Sequence, residues 1–416
     1  MYDWANSAFA TTIMAGFFPI FFKDFWSTGL PATQSTFWLG FGNSATALLV
    51  AIAAPLLGAV ADRGGLSKRF LLIAASLGIA ATAAMFWVNQ GRWELALLLY
   101  VLAGTGFAAA NVFYDGLLIP VSGKHDLDLV SGYGFSLGYL GGGALFAINV
   151  AMVQRPDWFG LEDAAQAVRF AFLSVAIWWA IFTLPLALNV DEPRPAGRQS
   201  VAAAVREGVA QLAHTFRELR ELKTVALFLA AYWLYIDGVY TIIKMAVDYG
   251  ATLGLARGDL ILALLITQFV GFPSALFFGW IGGRIGAKTG ILVALGVYCA
   301  ATVNAYFMDT SAEFFRLAIA IGLVQGGVQS LSRSLFARLI PADKSMEYFG
   351  FYNMVGRFSA IIGPVLVGGV ALIFDDSRLA MMSVLILLVS GAVLLTTVNV
   401  ALGEKRALAL QGRQLS

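Results

Sequence analysis

The chain has 416 residues, of which 59% are hydrophobic and only 12% charged, with a mean hydropathy of +0.78, whereas soluble domains carry about 25% charged residues. The formal net charge of +2 gives no ground for an acidic or nucleic-acid partner. A single cysteine, Cys299, excludes a disulfide within the chain, and the two histidines, His125 and His214, fall in loops away from any cysteine cluster, so neither a zinc site nor a thiol nucleophile is supported.

Such a composition describes an integral membrane protein, with no metal and no cofactor indicated. Twelve apolar stretches lie near 4–26, 38–61, 70–88, 93–119, 131–153, 168–190, 224–247, 259–282, 288–308, 313–338, 348–374 and 379–402. Each is close to the roughly 20 residues that a 30 Å hydrocarbon core demands. Runs of this length are helices, because a helix satisfies its backbone hydrogen bonds internally while a lone strand in lipid cannot. The fold is therefore expected to be all-α. The first run lacks a basic leader and is long enough to span, so no cleavable signal peptide is expected.

The first span opens MYDWANSAFATT, with Asp3 and Asn6 in an otherwise apolar run. A charge near the bilayer centre costs at least about 2.5–3.5 kcal/mol, so such residues face a polar interior with a task. Asp3 is either an acid on the central pathway or the N-cap of the first helix. On the fourth span Asn111 and Asp115 are four apart; on the fifth, Gly134, Gly138 and Gly142 recur every fourth residue. That glycine stripe is a small-residue packing face and not a dinucleotide fingerprint. GGRIGAKT at Gly282 fails as a phosphate-binding loop, since Ala287 replaces its second glycine and no strand precedes it.

DEPRPAGRQSVAAAVREGVAQLAHTFRELRELK, between the sixth and seventh spans, is the one long hydrophilic segment and divides the spans six and six. Val201, Val205, Val209, Leu212, Phe216 and Leu219 recur in it at helical spacing, which predicts an amphipathic helix lying on the membrane or on the helix ends. On the seventh span Asp237, Thr241, Lys244 and Asp248 follow one face at about 3.6 residues per turn. Lys244 and Asp248 either snorkel to the surface or line the pathway. Asp237 occupies the position in its half that Asp3 holds in the first, each after a nearby tyrosine (Tyr235, Tyr2). Gln325, Gln329 and Arg333 share a face of the tenth span, Asn353 and Arg357 one of the eleventh. Buried guanidinium groups need partners. Arg333 and Arg357 either pair with acids such as Asp115 or Asp237, or receive an anionic group of a substrate. Arg333, nearer its helix end, reads as the structural partner and Arg357 as the substrate candidate. Tyr114, Tyr139, Tyr232, Trp233 and Tyr240 either line a cavity or pack.

With both termini inside, 17 Lys and Arg fall in inner loops and the tail against 7 outside, leaving Lys244, Arg333 and Arg357 within spans. The positive-inside rule thus places both termini in the cytoplasm. The halves also repeat: Ile119-Pro120 aligns with Ile340-Pro341, Gly138 with Gly356, and GAVADRGGLSK from Gly58 with GWIGGRIGAK from Gly279. Parallel repeats of six helices are a transporter architecture with its site near the midplane between the halves.

Gly58, Asp62, Arg63 and Gly65, followed by Lys68 and Arg69, resemble the loop signature of the major facilitator superfamily. Gly279, Arg284, Gly286 and Lys288 resemble a degenerate second copy. The resemblance implies that the acid and bases brace the inner face; Arg333, read above as paired with an acid, joins them as a gating candidate because such a pair would lock one conformation. Leu66 and Ser67 stand where a base is usual and Gly283 replaces the second acid, so weaker bracing is expected in the C-terminal half. YDWANSAFATT, FYDGLLIP at Phe113, SGYGFSLGYLGGG at Ser131, IDGVYTIIKMA at Ile236 and GGVQSLSRSLFARLIP at Gly326 together resemble the vacuole-effluxer branch of that superfamily. Its fungal members export amino acids from vacuoles, and its bacterial members mostly have no assigned substrate. The family has a short stretch before this Tyr-Asp-Trp, a lead that the first span here lacks.

The expectation is an all-α membrane protein of the major facilitator fold, with two pseudo-symmetric six-helix bundles at 1–190 and 224–403, a linker at 191–223 and a cytoplasmic tail at 404–416. It would be a secondary active transporter, working as a monomer in a bacterial inner membrane, that moves a small polar organic solute such as an amino acid by alternating access with proton coupling. Asp3, Asp115 and Asp237 are the coupling candidates. Asn6, Asn111, Thr241, Lys244, Gln325, Gln329, Asn353 and Arg357 are the pathway candidates. The alternative is a membrane-embedded lipid-modifying enzyme or a non-transporting receptor. The spans offer the former no histidine, and the chain carries no appended soluble module for the latter.

Overall fold

Long apolar segments fold here as they must in lipid, each closing its own hydrogen bonds. The computed structural model of the chain describes residues 1–122, 126–191, 222–359 and 362–414. Among these described residues it holds twelve helices long and apolar enough to cross a membrane. These are α1 (Tyr2–Trp26), α2 (Phe37–Asp62), α3 (Ser67–Trp87), α4 (Trp93–Gly116), α5 (Leu127–Gln154), α6 (Ala164–Asn189), α7 (Lys223–Val247), α8 (Gly258–Ile285), α9 (Ala287–Tyr306), α10 (Ser311–Leu339), α11 (Ala342–Phe374) and α12 (Ser377–Thr396). With twelve spans both chain ends lie at one end of the bundle, the terminal face. His125, His214 and the predicted amphipathic helix, which falls on 192–221, lie outside the described residues.

Two span ends stand out from the sequence pattern. The fourth span stops at Gly116, after which Leu118–Val121 forms its own short turn of helix. The twelfth ends at Thr396 instead of 402, and a separate helix α13 (Val400–Gln414) occupies most of the expected tail. Gly403 lets α13 pack against Leu339 and Thr224 at the ends of α10 and α7. Within α1, Phe9–Phe17 and Phe22–Trp26 are wound as π-helix, a rare widened form that tends to mark functional segments.

Buried apolar side chains fall into two large groups. One gathers α1, α3, α4 and α6 around Phe18, Trp26, Phe107, Phe172 and Trp179 and admits Met346 from α11. The other gathers α7, α9, α10 and α12 around Phe228, Tyr235, Tyr298 and Phe336. Outward-facing Ile52, Leu188, Val365 and Leu372 are exposed, as suits a surface whose solvent is hydrocarbon. The seam between the groups is built on small residues that let backbones touch. A Cβ on Gly132 of α5 would lie 2.8 Å from the Gly279 Cα of α8, and one on Gly350 of α11 would lie 2.7 Å from the Pro55 Cα of α2.

The α5 glycine stripe receives α1. A Cβ on Gly138 would sit 2.6 Å from Ser7 Oγ, and one on Gly142 2.9 Å from Thr11 Oγ1. Gly138→Leu should therefore push α1 off α5 and lower the yield of monodisperse protein severalfold in fluorescence-detected size-exclusion chromatography. Wild-type yield and thermal stability would contradict this packing.

Candidate functional site

Polar contacts latch the two halves together in tiers, beginning at the terminal face. Asp62, at the end of α2, accepts the Met346 N–H (3.2 Å) and the Glu347 N–H (2.8 Å) in the first turn of α11. The first amides of a helix have no partner within it and carry its positive dipole end, so a carboxylate is the fitting cap. Gly58, one turn earlier, brings the α2 backbone against the Met346 carbonyl. Gly65 closes the helix in the left-handed region at φ +58°, donating to the Ala61 carbonyl. The Arg63 side chain lies outside the described residues; Lys68 is half-buried and Arg69 exposed at the start of α3.

The second copy of the loop works differently. Gly279 packs on Gly132, Gly286 turns the chain at φ +86°, Arg284 stacks 3.8 Å over the Trp280 ring, and Lys288 Nζ donates to the Thr396 and Val398 carbonyls at the end of α12. None of these reproduces the Asp62 cap. With Gly283 in place of the second acid, the carboxylate that meets the second half lies on α5. Asp128, buried in the first turn of that helix, accepts from Arg338 Nη2 (2.7 Å) and Ser334 Oγ (2.5 Å) of α10.

Deeper in, Arg333 of α10 ties three helices of the first half. Its Nη1 lies 3.1 Å from Asp115 Oδ1 and its Nη2 3.6 Å from Asp3 Oδ2. Its Nε donates to Ser131 Oγ (3.0 Å) and its Nη2 to the Ser131 carbonyl (3.1 Å). The rings of Phe135 and Tyr114 stand 4.5 and 5.5 Å from the guanidinium. Tyr114 donates to Asp3 (2.8 Å), and Asn353 of α11 donates to the other oxygen of Asp115 (3.0 Å). A Cβ on Gly134 would overlap Asp3 Oδ2 and lie 2.8 Å from Arg333 Nη2, so this position, besides packing α1, makes room for the ion pair. Asp3 is thus not the N-cap, which is Met1, but a buried member of the lock.

In the next tier, Asn6 donates to Asn111 (2.6 Å), Tyr139 to Gln329 (2.9 Å), Gln268 to Thr11 (3.1 Å) and Ser136 to the Phe272 carbonyl (2.8 Å). Gln325 lies one turn from Gln329 and is half-buried. Among the described residues, hydrogen bonds between the halves go no further from the terminal face than this tier. Arg357 lies one turn of α11 beyond Asn353. Neither it nor the exposed Lys244 forms an ion pair among the described residues, although their two charges act on each other. Asp237, expected as a partner for an arginine, instead accepts the Gly363 N–H (3.0 Å) and Thr241 Oγ1 (3.4 Å) while wholly buried. The side chain of Asp248 lies outside the described residues. Sequence reasoning missed Asp128, Ser131, Gln268, Arg338 and Gly363. The alternation of Asp128 with Leu127 and Leu129 at a helix start was the available signal for the first.

Twelve helices in two halves, latched at one face around buried charges, have the build of a major facilitator superfamily transporter. The chain belongs to the family described as vacuole effluxer Atg22 like, whose profile matches residues 29–129 and 124–408. It is 36% identical to the uncharacterized MFS-type transporter YxiO of Bacillus subtilis (strain 168), over 96% of this chain and 93% of that one. It is 28% identical to Autophagy-related protein 22 of Yarrowia lipolytica, over 67% of this chain and 51% of that protein. Among solved structures it resembles the proton:xylose symporter XylE (TM-score 0.68, 14% identity, 96% of this chain and 93% of that chain). It also resembles FucP in the outward conformation (TM-score 0.69, 11% identity, 96% and 97%). At these identities the likeness is one of fold.

Arg333→Gln leaves two buried carboxylates without their cation and should destabilise the folded protein by about 3–5 kcal/mol. Adding Asp3→Asn and Asp115→Asn should recover much of that loss, because the uncompensated charges go with them. Thermal unfolding in detergent reads both. Additive losses would contradict a coupled network.

Proposed function

We propose that the chain is a secondary active transporter that carries a small zwitterionic solute of the amino-acid kind by alternating access, coupled to protons. The carrying observation is the separation of charge across the pathway. On the first-half side Asp3 and Asp115 face the single Arg333, a surplus of one negative charge. On the second-half side Arg357 and Lys244 form no ion pair among the described residues, and Asp237 acts on Lys244 only through its field. An ammonium group suits the former and a carboxylate the latter, bidentate on the guanidinium. Asn6, Asn111, Gln325, Gln329 and Asn353 supply neutral polar contacts between them, and the solute is bound without a cofactor.

In this reading the halves 1–190 and 224–403 rock about the seam, joined by 191–223. The terminal face is cytoplasmic in a bacterial inner membrane, and one polypeptide suffices. The tiers at Asp62, Asp128 and Arg333 hold that face shut. Opening inward requires the Arg333 pairs to part, and a proton on Asp3 or Asp115 weakens them at that moment. Titratable carboxylates that change solvent access during a cycle are suited to such loading and release.

Two measurements test the reading. Purified protein should be stabilised against heat by its amino-acid solute, by about 2.7 kcal/mol at a hundredfold excess over Kd, and Arg357→Gln should abolish that shift. No shift from any amino acid, alongside one from sugars or nucleosides, would overturn the substrate class. With Cys299 replaced, a cysteine at Ser200 should react with impermeant maleimide only after the inner side is exposed. Labelling from outside would invert the topology.

A further inference from the structure

Arg284 belongs to the second copy of the loop, yet it takes no part in the latch. The end of α8 turns Gly279 toward Gly132 of α5, and Phe278 and Gly282 toward Gly327 and Leu331 of α10. Phe277 and Trp280 lie on the opposite side of the helix and are exposed, in line with exposed Phe269 two turns earlier. On a membrane-spanning helix, a large apolar face turned away from its packing partners meets hydrocarbon. Arg284 follows Trp280 by one turn on that same line, in the last turn of α8 at the terminal face.

Helical side chains lean toward the N-terminus of their own helix, and for the end of α8 that direction is back into the membrane. The guanidinium accordingly lies 3.8 Å over the Trp280 ring. An arginine reaching only for water would extend the other way, away from the bilayer. The indole, a side chain at home among lipid headgroups, holds the planar cation by its face and leaves the N–H edges free. Arg284 forms neither an ion pair nor a hydrogen bond among the described residues. Gly283 stands where the first copy carries Asp62, so no acid precedes the arginine. Asp128, whose Cβ would lie 3.5 Å from a Cβ on Gly282, is taken up by Arg338 and Ser334. Lys288, at the start of α9, adds a second positive charge while its ammonium holds the Thr396 and Val398 carbonyls.

We propose that the Arg284 guanidinium, laid on Trp280, binds the phosphate of an anionic phospholipid at the terminal face, with the acyl chains running along Phe277 and Phe269. A guanidinium fork and a phosphate diester match in a bidentate pair. The preference for an anionic lipid comes from the missing acid: the ammonium of a choline or ethanolamine headgroup would meet Arg284 and Lys288 with no free carboxylate to receive it. The site needs neither a transported solute nor a transport cycle.

Full-length protein in detergent, offered equal amounts of phosphatidylglycerol and phosphatidylcholine, should retain the former about fivefold over the latter in native mass spectrometry, the preference that one arginine near a charged surface confers. Arg284→Gln should remove that preference. The side chain is exposed, so the variant should unfold thermally at the wild-type temperature when no lipid is added. Arg284→Lys keeps the charge but not the flat fork, and Trp280→Leu keeps an apolar surface but not the ring; each should lose most of the preference. No preference in the wild type, or an unchanged one in Arg284→Gln, would overturn the proposal. A wild-type preference in both Arg284→Lys and Trp280→Leu would mean diffuse attraction between charges and would overturn the site. Inorganic phosphate in large excess should not displace the lipid; displacement would assign the site to the free ion and overturn the lipid assignment.

Discussion

A guanidinium buried between two halves of a membrane protein is the constraint on which the rest of this structure turns. Arg333 cannot lose its charge, and in a medium of low dielectric it must be surrounded by acceptors. The sequence supplies them from three helices of the other half: Asp3 from α1, Asp115 from α4 and Ser131 from α5. The half that carries the arginine is therefore bound to the half that carries the acids. The glycines at 132, 134 and 279 let the helices come close enough for the pairs to form. The tiers at Asp62 and Asp128 then fix the same face with helix caps and a second ion pair.

A latch made of charges can be opened by charges, which is how the fold connects to transport. Apolar packing across the seam would hold one state at all times, whereas in the proposed cycle the Arg333 network exchanges partners with a proton or a charged solute. The two halves do not contribute symmetrically. In the first, Asp62 of α2 caps α11; in the second the matching α8 position is Gly283, and α5 brings its own acid, Asp128, to Arg338. Asp3 and Asp237 likewise hold repeat-related places yet do different things, one joined to an arginine across the seam and the other to a backbone amide within its own half.

Much of the architecture was legible in the sequence because lipid leaves the chain few options: twelve apolar runs could only be helices, the one long hydrophilic segment divided them six and six, and matching Ile-Pro and glycine-rich loops related the two halves. The small-residue face at Gly134, Gly138 and Gly142 and the loop turn at Gly65 could be read for the same local reason. Which acid meets which arginine could not. Asp115 and Asp237 are both spaced to serve, and only the tertiary arrangement gives Asp115 to Arg333 and sends Asp237 to Gly363. Asp128 was hidden because an acid beside a loop looks like a solvated surface residue until α10 brings Arg338 over it. The helix Val400–Gln414 was missed because its packing partners, Leu339 and Thr224, are distant in sequence.

The central claim, that Arg333 holds the terminal face shut, is tested most directly by the distance across that face. Spin labels at Val121, after α4, and at Asp343, at the start of α11, are exposed and lie in opposite halves. In wild-type protein reconstituted in liposomes the interlabel distance should form a dominant short population, and Arg333→Gln should transfer most of it to longer distances. Superimposable distributions for the two, with the variant folded, would contradict the account.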